Sequence, residues 1–146
     1  MNICPTQDRS NRPRHRIPEE RMSKFTALDH IDIVVQDPNT MADYFISLGF
    51  TEIRRTDHNG GAVELRFPGE GDQPILELTA QHGEGRPSFN LGLRHMALRC
   101  DNVDQTYREL TEEGKTFDKE PRAIPSTGRR LTNLIDPEGN VLQVVS

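Results

Sequence analysis

Four side chains able to bind a metal recur at matching places in this 146-residue sequence. His30 and His95 stand 65 positions apart, and each is the third residue of a strand-like run that begins with Leu. Glu77 and Gln143 stand 66 positions apart, each inside a short apolar run. Imidazole nitrogens, a carboxylate and an amide oxygen suit Zn, Ni, Co, Mn or Fe. The spacing therefore predicts a divalent metal ion bound by His30, Glu77, His95 and Gln143.

The segments around these residues follow one plan twice. A strand-like run is followed by a helical pattern that stops at a glycine, Gly49 or Gly114, and these glycines are again 65 positions apart. Such a stop is typical of a left-handed helix C-terminus. Strand-like stretches cover residues 28–35, 50–56, 61–67 and 74–80 in the first copy, and 93–100, 116–121, 129–135 and 140–145 in the second. The sequence predicts an α+β chain of two tandem βαβββ modules, about residues 26–80 and 91–146.

Side-chain alternation indicates where the four residues point. Apolar residues on one face of each strand are expected to pack on the helices, which leaves His30 and His95 on the opposite face. Glu77 and Gln143 fall on that same helix-free face. Arg94 is adjacent to His95, so alternation predicts that it points the other way.

Composition limits the possible partners. The chain has 18 Lys and Arg against 23 Asp and Glu, a net charge of −5, which argues against nucleic acid as a partner. No apolar run approaches the roughly 18 residues that a membrane helix needs. Two distant cysteines, Cys4 and Cys100, favour a reducing, cytoplasmic setting. Residues 1–22 are polar and Pro-containing, which predicts an extended or disordered tail before a single domain at 23–146.

Residues 26–145 resemble the vicinal oxygen chelate superfamily, which includes glyoxalase I, methylmalonyl-CoA epimerase and bleomycin-binding proteins. The resemblance is carried by the two histidines, by the run Ile75 to Thr79, and by the turn Asp136 to Asn140 before the last strand. It implies the glyoxalase/bleomycin resistance fold, in which the paired modules form a cupped mixed sheet around a metal ion. It also implies a small-molecule substrate and a homodimer.

Within that superfamily the motifs look most like glyoxalase I (lactoylglutathione lyase). The resemblance implies a metal-dependent lyase or isomerase that abstracts a proton next to a metal-bound carbonyl of a small molecule or thiol adduct. The last strand carries Gln143 where the family usually has Glu, so Glu77 is expected to be the catalytic base. Leu91 stands where glutathione-binding members have Arg. The loop at residues 126–130 offers Arg129 and Arg130 to an anionic substrate.

Other activities fit the same residues. One is an acyl-CoA epimerase of the methylmalonyl-CoA epimerase type. Thiol transferases of the fosfomycin-resistance type and extradiol dioxygenases normally keep the last-strand carboxylate, so Gln143 argues against both. A non-enzyme alternative is a drug-binding module of the bleomycin-resistance type, although such relatives usually lack the histidine pair.

Overall fold

Nine strands and two α-helices make up the computed structural model, which describes residues 23–146. The predicted tail at residues 1–22 lies outside the described residues. The first module contains β1 (Ala27–Val35), α1 (Pro38–Ser47), β2 (Thr51–Thr56), β3 (Ala62–Arg66) and β4 (Ile75–Ala80). The second contains β5 (Gly92–Arg99), α2 (Val103–Glu112), β6 (Thr116–Phe117), β7 (Arg122–Ile124), β8 (Arg129–Ile135) and β9 (Val141–Val145). The predicted βαβββ order is confirmed in both halves, except that the first strand after α2 is divided into β6 and β7.

The two helices have the same kinds of residue at their ends, a capping side chain at the start and a glycine after the last turn. The side chains of Asp37 and Asn102 accept hydrogen bonds from backbone N–H groups of the first turns of α1 and α2, as N-cap residues do. Gly49 and Gly114 follow the last turns with φ of 101° and 84°, a region that glycine adopts without steric cost. The predicted glycine stops are therefore confirmed.

The sheet is symmetric about one central strand pair. Its order is β2-β3-β4-β1-β5-β9-β8-β6, with β7 paired to β8. β1 lies parallel to β4 and β5 lies parallel to β9, whereas β1 and β5 run antiparallel. The two modules thus join through β1 and β5, the strands that carry the two histidines.

Each helix covers an apolar face of its own half of the sheet. Ala42 of α1 packs in a buried cluster with strand residues of the first module, namely Val35, Val63, Leu65, Leu76 and Leu78. The counterpart beside α2 contains Cys100, Val103 and Val144. These clusters fix which face of the sheet is left for polar residues. Within the described residues, no helix is long and apolar enough to cross a membrane.

One predicted strand is wrong in its extent. Residues 116–121 were expected to form a single strand, but they contain only β6, and a separate strand β7 follows at Arg122–Ile124. Pro121 separates the two, and proline has no N–H to donate to a neighbouring strand. Both short strands pair with β8.

Candidate metal centre

The register of the central strands brings the predicted ligands to one face. Asp32 of β1 lies opposite Glu77 of β4 on one side and opposite His95 of β5 on the other. His30 precedes Asp32 by two residues and therefore shares its face. Ala97 lies opposite both His30 and Gln143, which places the last strand's amide on that face as well. All four predicted ligand positions thus share the helix-free face.

Three of these side chains form a tight cluster. Single ligand atoms of His30, Glu77 and His95 lie within 4.8 Å of one another. Nε2 of His30 is 3.1 Å from Nε2 of His95 and 3.6 Å from Oε2 of Glu77. Two nitrogen ligands about 2.1 Å from a tetrahedral zinc ion would be roughly 3.4 Å apart. The spacing therefore fits a single ion between these three groups.

Two β-bulges place residues that the alternation rule did not anticipate. β1 advances from Leu28 to His30 while β5 advances by one residue, which leaves Asp29 as the extra residue on β1. At the other end of the pair the extra residue is Arg94 on β5. A bulge redirects the side chain of the extra residue.

Arg94 shows the consequence of the second bulge. Its Nη1 lies 3.3 Å from Oδ2 of Asp32, within the polar cavity. The expectation that Arg94 points to the opposite face is therefore wrong. Simple alternation fails there because two residues of β5 face one residue of β1.

Asp29 fixes the proton on His30. Its Oδ2 lies 2.7 Å from Nδ1 of His30 and also accepts a hydrogen bond from Arg129, while its Oδ1 accepts from Nε of Arg99 at 3.1 Å. Burial acts to raise the pKa of Asp29, but the bonds from His30 and Arg129 outweigh it and hold that pKa well below its ordinary value. Because an ionised carboxylate only accepts, Nδ1 carries the proton and Nε2 presents its lone pair to the centre.

A second buried carboxylate stands beside His95. Asp32 accepts a hydrogen bond of 2.8 Å from the Thr79 hydroxyl, and its Oδ2 lies 3.8 Å from Nδ1 of His95. Burial raises the pKa of Asp32 above its ordinary value, against the opposing influence of Thr79 and Arg94. Each histidine therefore has an aspartate on its Nδ1 side, hydrogen-bonded at 2.7 Å for His30 and 3.8 Å away for His95. A carboxylate hydrogen-bonded to that nitrogen is typical of metal-binding histidines.

The pKa values of His95 and Glu77 shift in opposite directions. Burial, together with the charges of His30 and Arg94, lowers the pKa of His95 to about 3, so its imidazole is neutral at physiological pH. Burial and the nearby charge of Asp32 raise the pKa of Glu77 to about 7. A neutral imidazole is a ready metal ligand, and a carboxyl group with a pKa near 7 suits a general base.

The remaining predicted residues, Gln143, Arg129 and Arg130, differ in whether they line the same cavity. Gln143 lines the same cavity, with its Nε2 3.5 Å from Oδ1 of Asn133. Arg129 also lines it, but its guanidinium is paired with Asp29. Arg130 is the next residue of β8, and its Nη2 donates to Oδ1 of Asp104 on α2 at 2.7 Å. Arg130 is not among the residues that line this cavity.

The cavity itself has a volume of about 200 Å³. It contains the cluster and is completed by residues of β3, β7, β8 and the loop before β8, among them Glu64, Arg122, Ser126 and Leu131. The donor set fits a divalent ion because two imidazole nitrogens and a carboxylate oxygen surround one small space, with Nε2 of His30 3.1 Å from Nε2 of His95 and 3.6 Å from Oε2 of Glu77. His30, Glu77 and His95 would hold that ion, and Gln143 is placed to complete the set.

Sequence reasoning missed Asp29, Asp32 and Arg122. Asp29 and Arg94 each immediately precede one of the repeated histidines. This shared position is the feature of the sequence that marks both residues as neighbours of the site. Asp32 follows His30 by two residues and so shares its face. Nothing in the sequence singles out Arg122.

One sequence match that spans most of the chain decides the family. The family model of the Glyoxalase/Bleomycin resistance protein/Dioxygenase superfamily matches residues 27–144. The chain belongs to this superfamily. Among curated relatives, a probable lactoylglutathione lyase from Synechocystis is 23% identical over 120 residues, covering 80% of this chain and 92% of that protein. The lactoylglutathione lyase of Schizosaccharomyces pombe is 23% identical over 145 residues, covering 88% of this chain and 47% of that protein.

Solved structures of the superfamily share the fold. A methylmalonyl-CoA epimerase superposes with a TM-score of 0.72 at 18% identity, covering 86% of this chain and 97% of that one. The methylmalonyl-CoA epimerase from Mycobacterium tuberculosis gives a TM-score of 0.70 at 22% identity, covering 90% and 92%. At these identities the likeness establishes the fold alone.

The hydrogen bond between Asp29 and His30 gives a first prediction. An Asp29→Asn variant should bind Mn²⁺ or Zn²⁺ about tenfold more weakly, because the partner that holds Nδ1 of His30 loses its charge. Asp72→Asn is a matched control, since Asp72 also accepts a hydrogen bond from Arg99 but is exposed. Competition with a chromophoric chelator measures both affinities. Equal affinities in the two variants would contradict the assigned role of Asp29.

The raised pKa of Glu77 gives a second prediction. Below pH 7 the free site holds a proton on Glu77 that a metal ion must displace, so metal affinity should fall as pH falls. The affinity of the wild type should drop faster than that of Glu77→Gln, by about tenfold more per pH unit between pH 7 and 5. Calorimetric titration with Mn²⁺ at several pH values measures the slopes. Parallel slopes would show that Glu77 does not titrate in this range.

Proposed function

We propose that this protein is a metal-dependent enzyme of the glyoxalase I type, which moves a proton between neighbouring carbons of a small molecule or thiol adduct. The observation that carries the proposal is the single carboxylate of the metal cluster, Glu77, whose pKa is raised to about 7. The curated lactoylglutathione lyases among its relatives support the same choice.

Each residue of the cluster has a defined role in the proposed reaction. His30, His95 and Gln143 are neutral ligands, and Glu77 completes the set as the anionic one. A divalent ion bound there supplies Lewis acidity, which makes a carbon-bound proton next to a carbonyl easier to remove. Glu77 takes that proton and returns it to the neighbouring carbon. Glu77 is the only carboxylate among the four residues, so it is the group available to accept the proton and to release it again.

An acyl-CoA epimerase is the second candidate. It is supported by the solved methylmalonyl-CoA epimerases that share the fold, one of them in complex with methylmalonyl-CoA. Epimerisation returns the proton to the opposite face of the carbon and so benefits from a second base. Among the described residues that line the cavity, the carboxylate next to Glu77 across the strands is Glu64, and Arg54 lies 2.6 Å from it. This ion pair holds the Glu64 carboxylate against Arg54, away from the position of a second base, which favours the one-base reaction.

We also propose that the protein is a homodimer. Leu91, which precedes β5, and Leu93, near the start of β5, are 54% and 68% exposed. Leu91 borders a depression of about 420 Å³ beside α1, which is lined by Val34, Val35 and Met41. A second copy would cover these apolar side chains. A monomer mass in sedimentation equilibrium would contradict the dimer.

Parallel assays test the proposed reaction. The metal-loaded protein should convert the adduct of methylglyoxal and glutathione faster than it epimerises methylmalonyl-CoA. Glu77→Gln should lower the turnover of the preferred substrate by at least about a hundredfold, because it removes the base. Glu52→Gln on the exposed strand β2 is the control and should keep full turnover. A Glu77→Gln variant that retains more than about a tenth of turnover would exclude Glu77 as the base.

A further inference from the structure

Most of the charged side chains around the cavity are paired with a group of opposite charge, and Glu77 lies within the metal cluster. Among the described residues that line it, the carboxylates are Asp32, Glu64 and Glu77 and the guanidinium groups are Arg94, Arg122 and Arg129. Arg94 pairs with Asp32, and Arg129 pairs with Asp29 behind His30. Glu64 is paired with Arg54 of the neighbouring strand. This leaves Arg122 without an acidic partner within residues 23–146.

Arg122 also has a buried donor without an acceptor. Its Nη1 is shielded from solvent, and no group among the described residues accepts a hydrogen bond from it. Buried guanidinium donors are normally hydrogen-bonded because a bare one loses its hydration without replacement. Arg122 also lines the cavity, so a carboxylate that entered it and displaced the atoms covering Nη1 would supply the missing acceptor.

The surroundings of Arg122 strengthen that role. On β7 it lies opposite Leu131 of β8, and Ile124 lies two residues further along β7. Leu131 and Ile124 belong to an apolar cluster with Ala97 and Val145. An apolar wall lowers the local dielectric constant and makes the attraction between a guanidinium and an anion stronger than it would be in water. The planar fork of the guanidinium matches a carboxylate in particular.

The overall charge balance favours the same ligand. The three carboxylates and three guanidinium groups that line the cavity cancel. A divalent ion at His30, Glu77 and His95 would make the cavity positive, so an anionic substrate would be attracted to it.

We propose that Arg122 is a substrate-binding residue that selects an acidic substrate, by pairing with a carboxylate remote from the atoms held at the metal cluster. This inference rests on the proposed function and names the class of its substrate. It assigns to Arg122 the anion-binding role that the sequence predicted for Arg129 and Arg130, whose guanidinium groups are paired with Asp29 and Asp104.

Calorimetric titration of the Mn²⁺-loaded protein tests the proposal with matched ligands. The probes are 2-oxoglutarate and 2-oxoadipate, each compared with the analogue in which the distal carboxylate is an amide. At one chain length or both, the wild type should bind the diacid about tenfold more tightly than the amide, equivalent to about 1.4 kcal/mol. Arg122→Gln should bind the two forms within about twofold of each other, a difference of roughly 0.4 kcal/mol.

Two further variants keep the result interpretable. Arg122→Lys retains the charge and should keep part of the preference for the diacid, which a merely misfolded site would not. Arg130→Gln removes a guanidinium that is bound to Asp104 and should keep the whole preference. The proposal is overturned if the wild type does not discriminate at either length, if neither acid binds, or if Arg122→Gln discriminates as well as the wild type.

Failure of this inference can be separated from failure of the proposed function. If the protein takes up metal but does not prefer the diacid, the role of Arg122 is wrong and the metal-dependent reaction still stands. If the protein takes up no metal, the proposed reaction is wrong. The same titration of metal-free wild type and Arg122→Gln then still decides the role of Arg122, because it compares two acids that differ only at the distal group.

Discussion

The two histidine rings meet across the strand pair that joins the modules, with their Nε2 atoms 3.1 Å apart. Neither module alone can form this contact, because β1 contributes one imidazole and β5 the other. The antiparallel pairing of β1 and β5 sets the distance, and parallel neighbours β4 and β9 bring Glu77 and Gln143 to the same face. The rest of the site depends on the strand pairing that holds these nitrogens together.

Two imidazole nitrogens this close can bind one metal ion only if the proton of each ring is on its other nitrogen. Asp29 holds the proton of His30 at Nδ1, and Asp32 stands on the corresponding side of His95. Arginines balance both aspartates, so the carboxylates can stay buried in the sheet. The bulges supply Asp29 and Arg94, one in each strand of the pair. Each module therefore has a bulge next to its histidine. The extra residue is an acid, Asp29, in the first module and a base, Arg94, in the second.

Much of this architecture follows from the sequence, and the parts that do not have identifiable causes. Strand alternation and the repeat offset predicted the shared face of His30, Glu77, His95 and Gln143. Both can be read from the positions of residues along the chain, without knowing which strands pair. The bulges at Asp29 and Arg94 were not predictable, since an extra residue is defined only against the partner strand. Arg122 lines the cavity because the predicted strand is interrupted before Pro121, and the residue after this proline begins a new strand, β7. The separate directions of Arg129 and Arg130 follow from the two-residue period, although the loop interpretation of residues 126–130 treated them together.

The metal content of the protein tests the central claim most directly. Protein purified without chelators, dialysed against Mn²⁺ or Zn²⁺ and then against metal-free buffer, should retain about one equivalent per chain by elemental analysis. A His95→Ala variant should retain less than about a tenth of that amount, because it loses one of the two nitrogen ligands. Wild-type protein that holds no divalent ion even after metal is added back would contradict the account, and would favour a binding module that acts without metal.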